Sequence, residues 1–246
     1  MLPSDIANIE RATVIAVSPQ AVEELPGWLL PFNTGTVGRA ISAVPLSHDF
    51  GQDAEALVAL VEARYVAHGF KTAFRLPDVA SFAPLRAYLA KVGYRLAQPT
   101  LVQTCSALTM RKMADKLLAE VADTPDAAWA QLFLGEGFDP VDGAHRVALL
   151  SRAAGTAFAS VRQNGETLAG GAGSFSHGWA SAHGMRTVLH RRGEGWAKQV
   201  LACLAQTALD RGYENVFLQV EEGNSAEALY RKAGFQTAWR YAYWRK

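Results

Sequence analysis

The sequence predicts an α/β (α+β) fold built on a mixed sheet in two similar lobes, and three observations carry that prediction. Helical and strand-like segments alternate along most of the chain, their order recurs once, and each recurrence is punctuated by a glycine followed by an aromatic residue. Helix, Gly69-Phe70, strand, helix, Gly93-Tyr94, strand in the first half returns as helix, Gly212-Tyr213, strand, helix, Gly234-Phe235, strand in the second. The paired glycines stand 24 residues apart in the first copy and 22 in the second, and two copies of so long a period point to a duplicated lobe rather than a solenoid.

In order, a helix is expected over 5–17, then a hairpin of strands 27–32 and 37–44 joined by Asn33-Thr34-Gly35. Leu57, Leu60, Val61 and Tyr65 follow a helical period that Gly69 closes. A strand over 72–76, a helix over 82–92 and a strand from 94 to 108 interrupted at Pro99 complete the first lobe. Residues 111–153 read as two or three helices. Three antiparallel strands follow at 156–162, 167–174 and 179–187, the first two joined by the turn Gln163-Asn164-Gly165-Glu166. Trp196, Ala197, Val200, Leu201, Leu204, Ala205, Ala208 and Leu209 then form the apolar stripe of a helix packed on that sheet. A buried strand over 216–220, a helix over 225–232 and a strand over 235–244 end the chain. The boundaries so set are 1–110, 111–154 as a helical connection leading into the second lobe, and 155–246. The helix between strands 179–187 and 216–220 makes those two parallel neighbours with a right-handed crossover.

Composition narrows the function. Twenty-four Lys and Arg against 23 Asp and Glu leave a net charge of +1, so no overall field draws the chain to nucleic acid or an anionic membrane. Cys105 and Cys203 stand alone in apolar contexts, without a second Cys or His at ligand spacing, so neither disulfide nor metal is expected. The first residues carry acids where a secretory leader has bases, and no apolar run approaches the roughly 18 residues of a membrane span, so a cytoplasmic protein is expected.

The chemistry concentrates at Arg192-Gly193-Glu194-Gly195-Trp196-Ala197. This loop lies between a strand and an amphipathic helix, and its glycines let backbone N–H groups approach an anion at the positive end of the helix dipole. A dinucleotide fingerprint fails because position 198 is Lys198, and a P-loop fails for want of Gly-Lys-Ser/Thr. The spacing fits Gln/Arg-x-x-Gly-x-Gly/Ala through Arg192, Gly195 and Ala197. Downstream stand Asn224 and Ala228-Leu229-Tyr230-Arg231-Lys232-Ala233-Gly234-Phe235.

On these residues, in this order, the stretch from Gly184 to Tyr243 resembles the GCN5-related N-acetyltransferase (GNAT) family, in a tandem form whose N-terminal lobe is degenerate. The resemblance implies the acyl-CoA N-acyltransferase fold and acetyl-CoA as co-substrate, with no metal. It implies a cofactor site at Thr187, Val188, Leu189, Arg192, Gly193, Glu194, Gly195, Trp196, Ala197, Asn224 and Tyr230. Asn224 equally suits an N-cap. Tyr230 falls where the family places a phenol near the thioester sulfur, and a packed aromatic is the plain alternative. An amine acceptor with a pKa near 10.4 is neutral in about one molecule in a thousand at pH 7, so a base or a water chain is expected. Glu221, at the end of a buried strand, is the first candidate, and His183, on the strand entering the loop, the second. Glu221 can instead simply orient the loop, and His183 can be a satisfied sheet histidine. The acceptor is expected to be a small-molecule or peptide amine, with a homodimer compatible with this class. A non-catalytic acyl-CoA sensor or scaffold, and transfer to a hydroxyl or thiol, are the competing readings. Aromatic candidates for the acceptor pocket are Trp28, Phe32, Trp179, Trp196 and Tyr241, beside the glycine-rich run 168–175. In the first lobe Leu89 stands opposite Tyr230, Ala83 opposite Asn224, and loop 47–52 carries Asp49, so one cofactor site per chain is expected.

Overall fold

Local signals set most element boundaries in the computed structural model, which describes residues 1–246. Helix α1 (Pro3–Val17) starts on a proline, whose missing N–H suits a first turn, and stops at Ser18 in the left-handed region. Strands β1 (Ala21–Leu25) and β2 (Trp28–Phe32) form a hairpin over Pro26-Gly27, with Gly27 at φ 80° as the third position of a type II turn requires. The expected hairpin of 27–32 with 37–44 survives only as the antiparallel pairs Trp28↔Pro45 and Leu29↔Val44, because β2 takes β1 as its hairpin partner. The Glu-rich, largely exposed β1 gave no apolar alternation to read. Segment 37–44 is spent on one 3-10 turn, Gly38–Ala40, before the two-residue strand β3 (Val44–Pro45). Gly38 packs so closely on the last strand that a Cβ there would lie 2.7 Å from the Tyr243 ring.

Helix α2 (Ala54–Ala67), strand β4 (Ala73–Pro77), helix α3 (Ala83–Lys91) and strand β5 (Arg95–Ser106) follow as expected, with one difference. Pro99 bends β5 without splitting it: Gln98 takes φ 48° and the pairing register slips opposite it. Next come α4 (Ala107–Arg111), β6 (Glu120–Ala122), α5 (Ala127–Gln131) and α6 (Pro140–Arg152), the last two capped by Asp126 and Asp139. The stretch read as two or three helices therefore also contains a strand, three exposed residues at a sheet edge, too short for a period. Strands β7 (Ala157–Gln163), β8 (Glu166–Ser176) and β9 (Trp179–Thr187), helix α7 (Trp196–Asp210), strand β10 (Asn215–Glu221), helix α8 (Glu227–Lys232) and strand β11 (Gln236–Arg245) complete the chain.

Eight strands form one mixed sheet in the order β4-β11-β5-β10-β9-β8-β7-β6, in which only β9 and β10 are parallel. A smaller sheet, β1-β2-β3, touches its edge where Ala43 bridges Phe74. The two halves interleave: β11 lies between β4 and β5, and β5 between β11 and β10. Their central pairing has an approximate two-fold relation. Matching Gly93 with Gly234 carries Arg95 to Gln236 and Thr104 to Arg245, and the observed partners are Gln236↔Thr104 and Arg245↔Arg95. The bonds from Asp78 N to Arg240 O and from Glu222 N to Pro99 O, both 2.8 Å, exchange in the same way.

Three buried clusters hold these layers. Helix α7 lays Val200, Leu201, Leu204, Ala205 and Ala208 against β7 to β10. At roughly 1.5–3 kcal/mol for each large aliphatic side chain, that stripe outweighs what helix propensity supplies. Helices α2 and α3 bury Leu57, Val61, Tyr65, Leu85 and Leu89 against β2 and β4. On the opposite face of the large sheet α1 sets Ile9 and Ala12 on Val102, Phe217, Trp239, Tyr241 and Tyr243.

Candidate functional site

The site begins as a defect in the sheet. Parallel pairing of β9 with β10 is confined to Val216↔Ala180, Phe217↔Ser181 and Leu218↔Ala182, after which the strands run on unpaired. On its other edge β9 passes from Ala172↔His183 to Gly170↔Arg186, so Gly184 and Met185 together oppose Gly171. Such a bulge increases local twist and re-aims the following residues. Gly184 sits in it at φ 59°, with Leu150 and Phe133 so close that a Cβ would come within 3.0 Å of both. The twist carries the end of β9 away from β10 and opens a V.

Into one side of that V points the start of α7. Gly193 and Gly195 both hold positive φ, 84° and 92°, and Gly195 is the N-cap, so no side chain occupies the amides of the first turn. A cavity of about 570 Å³ lies before them, walled by the end of β9, the loop and α8. Arg186, Arg191, Arg192, Lys198 and Lys232 line it, and no Asp or Glu does. Open amides, a helix dipole and these cations, of which Arg191 is paired with Glu194, suit a polyanion such as a pyrophosphate.

Of the sequence-expected cofactor residues, Thr187, Arg192, Gly193, Gly195, Trp196, Ala197, Asn224 and Tyr230 line this cavity. Val188, Leu189 and Glu194 do not. Val188 packs on the Trp129 cluster, and Leu189 belongs to a 3-10 turn, half exposed against Gly137. Glu194 accepts from Arg191 Nε and from Trp196 Nε1, both at 2.9 Å. This removes the one carboxylate of the loop from the anion's place. Asn224 serves locally as well, its Oδ1 accepting from Ala226 N at 2.9 Å ahead of α8.

A second cavity, about 310 Å³, occupies the other side of the V and shares Met185, Arg186, Asn224, Ala226 and Tyr230 with the first. Tyr230 is buried at the junction, and burial pushes its phenol up to about 12 despite Arg186 nearby. Glu221 lines this second cavity from the exposed end of β10. His183 lines it too, but is buried beside Phe217 with Nε2 2.7 Å from Ser181 Oγ. Burial, reinforced by Arg39, pulls its pKa down to about 3, so the imidazole is neutral throughout the physiological range.

The remaining walls come from residues the motif did not reach. Thr36, Gly38 and Arg39 arrive from the loop after β2, Gln98 and Thr100 from β5, Gln219 from β10, and Tyr241 and Tyr243 from β11. Arg186 gave a readable signal, the one arginine in a strand that leads into the glycine loop. Arg39 gave none, because its place depends on how the first half folds onto the second. Among the aromatic candidates, Trp196 lines the larger cavity and Tyr241 the smaller, whereas Trp28 and Phe32 belong to the core under α2, and Trp179 to that under α1. Residues 168–173 are buried packing. No group of three or more His, Cys, Asp or Glu is placed to hold a metal ion, both cysteines are free thiols, and no helix is long and apolar enough to cross a membrane.

Solved structures share this architecture. The GCN5-related N-acetyltransferase from Kribbella flavida superimposes with a TM-score of 0.72 at 14% identity, over 98% of this chain and 95% of that one. A GCN5-related N-acetyltransferase from Sphaerobacter thermophilus gives 0.60 at 14% identity, over 100% and 93%. A tandem GNAT protein from the clavulanic acid biosynthesis pathway gives 0.60 at 13% identity, over 98% and 95%. At such identities the likeness is one of fold. No curated protein sequence matches the chain. The family described as "Probable histone acetyltransferase Rv0428c C-terminal" matches residues 3–244, nearly the whole length. With the splayed strands, the open helix terminus and that match together, the chain belongs to this acetyltransferase family, of the GCN5-related type.

Proposed function

We propose that the protein transfers an acetyl group from acetyl-CoA to a primary amine by direct attack of the amine on the thioester. The observation that carries this reading is the meeting of two cavities at Tyr230, one lined by arginines, lysines and the open start of α7 and one lined by Glu221. Backbone amides from Gly193 to Ala197 and the side chains of Arg192 and Lys198 would hold the pyrophosphate. The unpaired edge of β9 beyond Ala182 offers backbone groups to the amide-bearing pantetheine arm, as to an added strand. When bound, acetyl-CoA supplies the acetyl group and a sulfur leaving group.

In the balanced reaction a nitrogen–carbon bond forms, the carbon–sulfur bond breaks, the amine gives up one proton and the sulfur gains one. Glu221, directly or through water, receives the amine's proton. His183 fits this role poorly, since burial makes its imidazole a weak base, with a pKa of about 3, and its Nε2 already faces Ser181 Oγ at 2.7 Å. Tyr230 faces the opposite demand. Full proton transfer from a phenol at about 12 to a thiolate whose reference value is about 8.5 is roughly 5 kcal/mol uphill. Its role is therefore to donate a hydrogen bond to the developing charge on sulfur, with solvent completing the protonation. The bulge at Gly184–Met185 leaves a β9 residue outside the ladder, and its N–H is the candidate donor to the carbonyl oxygen. Residues 1–110 act in this reading as a degenerate copy that binds no cofactor and walls the acceptor side.

Titration calorimetry with acetyl-CoA, followed by thiol release on adding primary amines, tests the proposal. One equivalent bound per chain and amine-dependent release support it. Binding without release from any amine favours a sensor, release only with alcohols or thiols changes the acceptor class, and absence of binding removes the transferase reading.

A further inference from the structure

Resting on the transferase reading, we propose that the acceptor is a small amine bearing an acidic group, with that group held by Arg39 and the amine turned toward Glu221. Arg39 is placed by close packing. It rides on the 3-10 turn whose Gly38 lies against Tyr243 and Arg245. Its Nη1 donates to Gln219 Oε1 at 3.2 Å, and its Nε is buried without a partner. Gln219 is itself fixed, giving Nε2 to Thr13 Oγ1 at 2.8 Å and receiving the Tyr241 hydroxyl at 3.0 Å. A guanidinium has five N–H donors in a planar fork, so most of those on Arg39 are uncommitted to any protein acceptor.

Charge compensation around it falls short. The carboxylate that acts on Arg39 is Glu10, already paired with the buried Arg75 at 2.6 Å. Arg146 is taken by Asp142 at 2.5 Å, and Asp142 also accepts from Thr36 Oγ1 at 2.6 Å. Arg186 gives Nη1 to the Met185 carbonyl at 3.1 Å and stacks on Phe138, its Nε buried without a partner. Arg186 is shared with the polyanion cavity, so Glu10, Asp142 and Glu221 stand against Arg39, Arg75, Arg146 and Arg245, the last lying against Gly38 with Nε and Nη2 unpartnered; one cation is left over, and His183 adds no charge. Partly buried cations without counterions are costly, so the cavity favours an anionic guest and disfavours a cationic one.

Distance sets the guest's size. Gln219 and Glu221 share one face of β10, about 7 Å apart at the usual rise per residue, with the Arg39 contact at the first and the carboxylate at the second. That span and about 310 Å³ fit a compact molecule with opposite charges at its ends. A lysine-rich peptide would bring only positive charge.

The experiment uses the full chain at saturating acetyl-CoA and follows thiol release with β-alanine, 2-aminoethylphosphonate, propylamine and a lysine-rich peptide. One or both acidic amines should exceed propylamine in kcat/KM by about 10- to 100-fold, the worth of one charge-assisted pairing. Their relative rates separate carboxylate from phosphoryl recognition. Arg39→Gln should erase that preference by raising the acidic acceptor's KM relative to that of propylamine, with acetyl-CoA affinity within about twofold, and Arg39→Lys should restore part of it. Equal or better rates for propylamine or the peptide would overturn the proposal, as would a preference unchanged in Arg39→Gln. So would acetyl-CoA binding without release from either acidic amine. Failure to bind acetyl-CoA at all would instead remove the transferase reading on which this one stands.

Discussion

Helices α2 and α7 occupy matching places in the two halves, yet their N-termini are finished in opposite ways. Asp53 caps α2, its Oδ1 accepting from Ala56 N at 2.7 Å, so the first turn already holds a negative charge. Before it, Phe50 packs on Phe82 at 5.2 Å between centroids and Trp28 Nε1 donates to Gln52 at 3.0 Å, leaving about 170 Å³. Gly195 gives α7 no side-chain cap, and a cavity more than three times larger lies in front. Across from the helices, Tyr230 at the cavity junction matches Leu89, fully buried in the first core. A helix terminus attracts anions only while its amides are unclaimed, so a single capping carboxylate marks which half can hold a pyrophosphate.

The largest expected effect comes from making α7 resemble α2. Gly195→Asp puts a carboxylate at the open terminus and a side chain at φ 92°, and acetyl-CoA affinity measured by calorimetry should fall by about 100-fold or more. Unchanged affinity would break the comparison. Tyr230→Phe should lower kcat by about 10- to 100-fold and leave acetyl-CoA affinity within about twofold, because the phenol acts on charge that develops only during the reaction. Asp53→Ala should cost about 1 kcal/mol in denaturant unfolding without changing acetyl-CoA affinity or a stoichiometry of one. The smallest effect is expected of Asp53→Gly, a few tenths of a kcal/mol, with no second equivalent bound because Phe50 and Phe82 still fill the site.

A further contrast, between the two base candidates, is read by acid. His183 is buried neutral, with a folded pKa of about 3 against about 6.5 unfolded. Its contribution to stability is therefore full above about pH 6.5 and is lost as pH falls toward 3, since the unfolded chain takes up the proton first. His183→Asn should unfold less steeply over that window in pH-dependent melting. Glu221→Gln should act on turnover instead, since Glu221 lines the second cavity.

Much of this was legible in the residues. The stripe of α7, the hairpin at Asn164-Gly165 and the parallel placement of β9 beside β10 each follow from a local pattern strong enough to be read alone. The open start of α7 was legible because glycines at positive φ just before an apolar stripe leave a helix terminus without a side-chain cap. What escaped was weakly patterned or non-local. The exposed β1 and the three-residue β6 have no buried face to impose alternation, and the expected hairpin through 37–44 lost to the packing of Gly38 on Tyr243.

The sequence by itself determined most of the element order, the recurrence of glycine–aromatic pairs and the glycine-flanked start of α7, because these depend on neighbours a few positions apart. Tertiary structure alone decided the smaller cavity beside Tyr230. Arg39, Thr100, Gln219 and Tyr241 are far apart in the chain and meet only because β5 and β11 interleave the halves and α1 covers the sheet above them. Side chains brought together by strand exchange leave no spacing to read, since their proximity is fixed by sheet order and not by distance along the chain.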